Sequence, residues 1–252
     1  MSYPVVSIVT ATYNSAKYIQ ATFDSIRRQS FTQWEWLVTD DASLDETWDL
    51  LKTFASIDGR VKILRLHENV GAGAARNKSI EQARGKYLAF IDSDDRWQLE
   101  KLEKQLLFMS DEVEFSFTGY RIIDEMGRDL GKSVDTSQEG QFFYEDILRK
   151  KATIGCSTVM LNRESIVEVV MPLMRSGQDY ALWLSLLKGG RPAYLLPDPL
   201  TEYRITPKSV SRNKLKKAIR QWEIYRKQEC LDLPKTIVCF SLYAYRALIR
   251  TP

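Results

Sequence analysis

The chain holds 252 residues, 44% hydrophobic and 27% charged, with 12 Gly and 8 Pro, a composition that excludes collagen-like, low-complexity and disordered chains and allows one large domain or two small ones. Its formal charge of +3 is unevenly spread: from Tyr203 onward 12 Lys+Arg face 3 Asp+Glu, a net of +9, which leaves the body at −6. The single histidine, His67, rules out a multi-histidine metal site, and Cys156, Cys230 and Cys239 are too irregularly spaced for a CxxC motif or a disulfide framework. In chain order, Val5 to Ala11 is a nearly continuous apolar run, as in a strand covered on both faces. Asn14-Ser15 offers a cap for a helix reaching Gln29, with Tyr18, Ile19, Phe23 and Ile26 at helical spacing. Trp34 to Thr39 reads as the second strand and ends on Asp40-Asp41. Ser43 can cap a helix through Trp48, Leu51 and Phe54. Val61 to Leu66 is a third strand, Ala72 to Ala83 a helix of small residues, and Tyr87 to Ile91 a fourth strand running into Asp92-Ser93-Asp94-Asp95. This alternation predicts an α/β fold with a mostly parallel sheet and helices on its faces.

The second half is less regular. Glu114 to Tyr120 reads as a strand, Asp124 to Arg128 as a turn, Glu139 to Lys150 as a helix and Thr158 to Leu161 as a strand. Tyr180 to Lys188 reads as a helix halted by Gly189-Gly190. The N-terminus carries no basic leader or cleavage site, and no run of about 18 apolar residues suggests a membrane span. A cytoplasmic protein is expected.

In an open parallel sheet, ligands bind beyond the carboxyl ends of the strands. Two acidic clusters fall there: Asp40-Asp41 after the second strand and Asp92-Ser93-Asp94-Asp95 after the fourth. Carboxylates gathered in one crevice repel each other unless a cation compensates. A hard divalent cation with a shell completed by substrate phosphates would do so, which suggests Mg2+ or Mn2+ with a diphosphate. The competing role is helix capping, which one Asp satisfies but three carboxylates in four residues exceed. Between the clusters, Asn69 to Asn77 is no dinucleotide fingerprint, since Arg76 stands where a third Gly or Ala belongs and the motif follows the third strand. What remains is a small-residue helix start with Arg76 one turn in, placed to reach a base or a phosphate.

Taken together these segments resemble the family 2 glycosyltransferases, inverting enzymes of the GT-A fold. The ordered match comprises Val6 to Asn14, Val38 to Thr47, Asn69-Val70-Gly71 with Ala75-Arg76-Asn77, and Tyr87 to Trp97. It resumes at Gln178 to Trp183 and at Tyr203-Arg204. A looser likeness points to bacterial enzymes assembling teichuronic acid, capsule or O-antigen. The resemblance implies that Thr12, Tyr13, Asp40 and Asp41, with Arg76, surround the nucleotide. It further implies that Asp92 touches the ribose, that Asp94 binds the metal with Asp92 beside it, and that Asp95 can share either task. Asp179 corresponds to the family's proposed general base. Its usual acidic neighbour is replaced by Gln178, and a histidine common after the Tyr-Arg pair is replaced by Thr206. The implied activity is metal-dependent transfer of a sugar, with inversion, from a nucleotide-diphosphate donor, expected to be UDP-linked. The receiver would be a glycan or lipid-linked hydroxyl in surface polysaccharide synthesis. Two alternatives stand beside it: a sugar-phosphate nucleotidyltransferase, whose Gly-rich basic loop after the first strand is missing, and a catalytically inactive nucleotide-sugar-binding subunit.

Smaller signals complete the reading. His67 fits a surface or packing role. Trp97 could stack on a sugar, with core packing as the competing role. The expected division is a catalytic domain over 1–205, with a nucleotide-sugar half to about 110 and an acceptor half over 111–205, followed by a basic tail over 206–252. In that tail Leu215, Ile219, Trp222 and Tyr225 recur at helical intervals among Lys and Arg, and an apolar, aromatic stretch runs from Thr236 to Ile249. Such helices either lie on the inner face of an anionic membrane or pack on the body. Nucleic acid is not an expected partner, because the basic groups sit on the tail and the cleft is acidic.

Overall fold

The computed structural model describes residues 3–110, 112–206 and 214–249. Its centre is a mixed sheet. The strands β1 (Val6–Thr12), β2 (Trp34–Asp40), β3 (Val61–Arg65) and β4 (Tyr87–Phe90) run parallel in the order β3-β2-β1-β4. Both β1 and β2 are buried at every residue, which is why their sequences read as continuous runs. Beyond β4 the sheet continues through β9 (Met160–Asn162), β6 (Phe115–Ile123), β10 (Ala193–Arg204) and β5 (Arg96–Trp97). The short β9 lies antiparallel to both β4 and β6 and so joins the two halves.

Helices cover both faces. On one, α1 (Ile19–Arg27) and α2 (Thr47–Ile57) are held by a stack in which Phe23 and Phe54 lie 4.2 Å apart and Trp36 of β2 joins them; α4 (Lys101–Phe108) adds Leu102 to this core. On the other, α3 (Ala72–Glu81), α5 (Tyr144–Leu148) and α6 (Gln178–Leu187) gather around Trp183, whose ring meets Phe90 and Phe115.

Several local expectations are corrected. Neither Asn14-Ser15 nor Ser43 caps its helix. Asn14 adopts φ 49° and its side chain accepts from Leu44 N at 2.8 Å, while Ser43 turns back to Asp40. The predicted helix over Glu139–Lys150 is instead β8 (Gly140–Phe142), paired antiparallel with β10, followed by the short α5. The pairing opportunity on β10 wins over a weak helical pattern. β10 itself escaped notice because Pro197 and Pro199 interrupt its pattern; the strand absorbs them through register shifts against β6. The Asp124 turn forms as expected and closes a hairpin onto β7 (Asp129–Val134), its carboxylate accepting from Met126 N and Arg128 N at 2.9 Å each.

The basic C-terminal segment packs on the body. α7 (Lys214–Glu223) continues into a π-helical turn over Ile224–Gln228, and α8 (Leu233–Ile249) follows. Ile224, Tyr225, Leu231 and Cys239 are buried in the same core as Trp183. Leu215, Ile219, Ile237, Val238 and Tyr245 remain exposed. Among the described residues no helix is long and apolar enough to cross a membrane.

Gly85 marks the tightest joint between the loop after α3 and β1. Its N–H donates to Ser7 Oγ at 2.8 Å, and a Cβ here would stand 2.6 Å from Ser7 N and 2.8 Å from the Val6 carbonyl carbon. Backbone, unlike a flexible side chain, cannot give way cheaply. Gly85→Ala is expected to cost about 1–3 kcal/mol, measured as a lowered urea midpoint.

Candidate active site

The carboxyl ends of β1, β2 and β4 meet along one edge. Thr12 and Asp40 are register partners at the ends of β1 and β2. The buried Asp40 carboxylate accepts from the amide and hydroxyl of Ser43 and pairs with Arg65 Nε at 3.2 Å. Asp41 is also buried. It accepts from Asn69 Nδ2 at 2.9 Å, Val70 N at 2.9 Å and Gly71 N at 2.8 Å, and so clamps the loop that leads into α3. Tyr13 is 43% exposed beside this edge, and Thr12 Oγ1 is buried without a hydrogen-bond partner among the described residues.

After β4 the chain folds back on itself, Asp95 N donating to Asp92 O at 3.2 Å. Asp95 is the fastener of this acidic loop. Its carboxylate accepts from Ser157 Oγ at 2.5 Å and from Arg204 N at 2.8 Å, and its carbonyl accepts from Thr22 Oγ1 at 2.8 Å. Burial, then the charges of Asp94 and Asp92, push the Asp95 carboxyl well above the usual range. Asp94 is pushed up to about 6 by burial and then by Asp92, against the pull of Arg204 and Arg76. Asp92 is tied from behind by Arg76 Nη2 at 2.5 Å, and its N–H donates to Ser157 Oγ at 3.0 Å. Arg76 is itself buried, with its other terminal nitrogen 3.8 Å from Met171 Sδ, so it props Asp92.

Asp92 and Asp94 open into a cleft of about 700 Å3 whose lining also includes Asp179, Cys156, Ser157, Tyr120 and Arg204. The structure therefore brings three carboxylates from two distant parts of the chain, the loop after β4 and the start of α6, to one space. Asp179 lies in the first turn of α6, whose N-cap is Gly177. Burial raises its pKa, as does the charge of Asp92, while Arg76 acts in the opposite sense. Gln178 beside it is buried, with its Oε1 unpartnered among the described residues. Trp97 lies outside the cleft lining. Its indole N–H donates to Ser157 O at 2.7 Å, and Lys101 Nζ sits 3.8 Å from its ring centroid, so the ring is packed rather than open for sugar stacking. His67 is exposed.

Two contributors were missed in the sequence. Arg204 donates from Nε to Asp94 O at 2.7 Å and from Nη1 to Asp124 O and Glu125 O; the Tyr203-Arg204 pair carries part of the family resemblance, but nothing in its spacing points to this bracing. The cleft wall supplied by α7, including Lys217 and Arg220, carried a helical signal but none for its docking partner.

The family model for glycosyl transferase family 2 matches residues 7–171. The chain belongs to this family. Its relatives include TuaG of Bacillus subtilis, named for teichuronic acid biosynthesis, 44% identical over 97% of this chain and 96% of that protein. WfaP of Escherichia coli, named as a glucosyltransferase from UDP-Glc to α-D-GlcNAc-diphosphoundecaprenol, is 35% identical over 98% of this chain and 95% of the relative. Among solved structures, Staphylococcus aureus TarS residues 1–349 with UDP-GlcNAc superposes with a TM-score of 0.74 at 19% identity, covering 97% of this chain and 72% of that one. The mannosyltransferase PcManGT of Pyrobaculum calidifontis, with GDP-Man and Mn2+, superposes at 0.73 and 18% identity, covering 99% and 72%. The fold is thus GT-A and the protein is a glycosyltransferase, which sets aside the nucleotidyltransferase alternative.

Among the described residues no group of three or more His, Cys, Asp or Glu side chains is arranged to hold a metal. The donor set nonetheless fits a divalent ion that takes most of its shell from a diphosphate and water. Two carboxylates, Asp92 and Asp94, share the cleft, and burial, then the charge of Asp92, raises the pKa of Asp94, both of which a bound cation would offset. Because that pKa lies above the unfolded value, protonated Asp94 favours the folded state at low pH, and this contribution is lost as pH rises through about 6. Asp94→Asn, which removes the titration, is therefore expected to stabilise the metal-free protein near neutral pH by about 1–3 kcal/mol. The gain should vanish below about pH 4. Denaturant unfolding at the two pH values measures both.

Proposed function

We propose that the protein transfers a hexose, with inversion, from a UDP-sugar to a hydroxyl of a lipid-linked glycan acceptor during synthesis of a bacterial surface polysaccharide. The observation that carries this reading is the convergence of Asp92, Asp94 and Asp179 on one cleft beyond the strand ends. The named activities of TuaG and WfaP supply the pathway class and the acceptor class, and the UDP-GlcNAc of TarS supports the nucleotide.

In this reading the edge formed by Thr12, Tyr13, Asp40 and Asp41 shapes the nucleotide recess. Asp40 and Asp41 act chiefly by fixing backbone, since their oxygens already hold Ser43, Arg65 and the loop over residues 69–71. Asp92, propped by Arg76, meets the ribose. Asp94, with Asp92, would hold Mn2+ or Mg2+, which when bound supplies a Lewis acid that stabilises charge on the departing diphosphate. Asp95 keeps the loop in place. Asp179 takes the proton from the acceptor hydroxyl as it attacks the anomeric carbon. Its burial raises its pKa and so makes it a stronger base than a solvated carboxylate, with Arg76 acting in the opposite sense.

Asp179→Asn is expected to lower turnover by about 100- to 10,000-fold while leaving UDP affinity unchanged by calorimetry. Turnover equal to wild type would reject the base assignment. A panel of UDP-sugars with and without Mn2+ in thermal unfolding identifies the donor, because a bound ligand stabilises the native state. Asp94→Asn should abolish the Mn2+-dependent part of that shift, and a shift that persists would move the metal elsewhere.

The C-terminal helices fit a peripheral contact with the inner leaflet. Leu215 and Ile219, 71% and 54% exposed, lie one turn apart on α7 among lysines and arginines. The sedimentation of the full chain with phosphatidylglycerol vesicles should fall on Leu215→Glu with Ile219→Glu. Removal of the helices is not the right comparison, since Ile224, Tyr225 and Cys239 belong to the core.

A further inference from the structure

The cleft has two electrically different walls. The acidic loop lies on one side, whereas α7 contributes Lys217 and Arg220, and Lys150 stands nearby over the ring of Tyr243 at 4.7 Å. Arg220 is placed by close packing. Its side chain lies against Gly177, 3.1 Å from where a Cβ would stand, and Gly177 (φ 80°) is the N-cap of α6. The guanidinium thus sits next to the helix start that carries Asp179. Among the described residues Arg220 acts on Asp179 and on Tyr243, yet neither it nor Lys217 closes an ion pair with an acidic side chain. The strongest charge partners of Asp94, by contrast, are Asp92, Arg204 and Arg76. Two half-buried like charges one helical turn apart repel each other, and Lys217 carries the added cost of burial. An anion between them relieves both effects, and the first turn of the ten-residue α6 adds favourable dipole.

We propose that Lys217 and Arg220 form a phosphate subsite on the acceptor side of the cleft, reading the diphosphate that joins the acceptor sugar to its lipid. This rests on the lipid-linked acceptor reading and adds to it the residues that recognise the linkage. Its position follows from the reaction geometry. The acceptor hydroxyl faces Asp179, so the far end of the same sugar, which bears the diphosphate, is directed away from Asp94 and the donor phosphates. Filling the subsite also neutralises Arg220, which together with the stronger Arg76 pulls on Asp179, so the base strengthens when the acceptor is in place.

The test uses the full chain with saturating UDP and Mn2+, undecyl diphosphate as probe, and calorimetry at low salt. Wild type and the charge-conserving K217R/R220K variant are expected to bind the probe. K217Q/R220Q is expected to bind at least about tenfold more weakly, with UDP affinity unchanged. Equal probe binding by K217Q/R220Q overturns the subsite while leaving the acceptor reading intact. A parallel loss of UDP affinity overturns it too, assigning the cations to the donor diphosphate. Failure of wild type to bind the probe overturns the lipid-diphosphate reading itself, and the subsite with it; donor hydrolysis reports on glycosyl transfer separately.

Discussion

The structure is organised around the crowding of negative charge just after β4. Asp92, Asp94 and Asp95 occupy four consecutive positions with Ser93, and in water such a segment would spread. Here it is held in a tight turn by partners from elsewhere: Arg76 on Asp92, Ser157 and the Arg204 amide on Asp95, and the Arg204 side chain on the Asp94 carbonyl. Asp95 uses its carboxyl oxygens, as acceptors from Ser157 and the Arg204 amide, to fasten the fold. Asp94 is pushed up to about 6 by burial and then by the charge of Asp92. The same repulsion that costs stability makes the edge attractive to a cation and a diphosphate.

The cleft is built from two sources. The first half of the chain supplies the rigid edge, through strands buried on both faces and through Asp40 and Asp41, which fix the adjacent loops. The opposite wall comes from the start of α6 and from α7, elements far along the sequence. Asp179 sits at their meeting point. This division suits the proposed reaction, which needs a fixed seat for the leaving group and a separate surface that brings the acceptor hydroxyl to the proposed base.

Much of the parallel half was legible because its physics is local. Apolar runs such as Val5 to Ala11 encode buried strands, and acidic residues at their ends mark the binding edge. Bringing Asp179 to that edge could be expected only by resemblance, since nothing in the spacing from Asp94 to Asp179 encodes their proximity. The limits are equally physical. Trp97 carried two readings in the sequence, sugar stacking and core packing, and the structure gives the second: Lys101 covers its ring, a contact between helix and strand that no local pattern reveals. β10 hid behind two prolines because register shifts against β6, rather than propensity, accommodate them. The basic C-terminal segment left two docking options open, and the burial of Tyr225 and Cys239 shows that it joins the body while part of it still faces solvent.

Arg204 carries a mechanical implication. One guanidinium bridges the Asp94 carbonyl to the carbonyls of Asp124 and Glu125 at the tip of the β6–β7 hairpin, and Glu125 in turn accepts from Lys17 and from the Tyr18 hydroxyl at 3.0 Å. The hairpin tip, the entry to α1 and the acidic turn are thereby riveted into a single chassis. The donor-side edge of the cleft is thus cross-braced through side chain and backbone together, so in the proposed reaction the leaving group would be received by a part of the molecule with little room to shift.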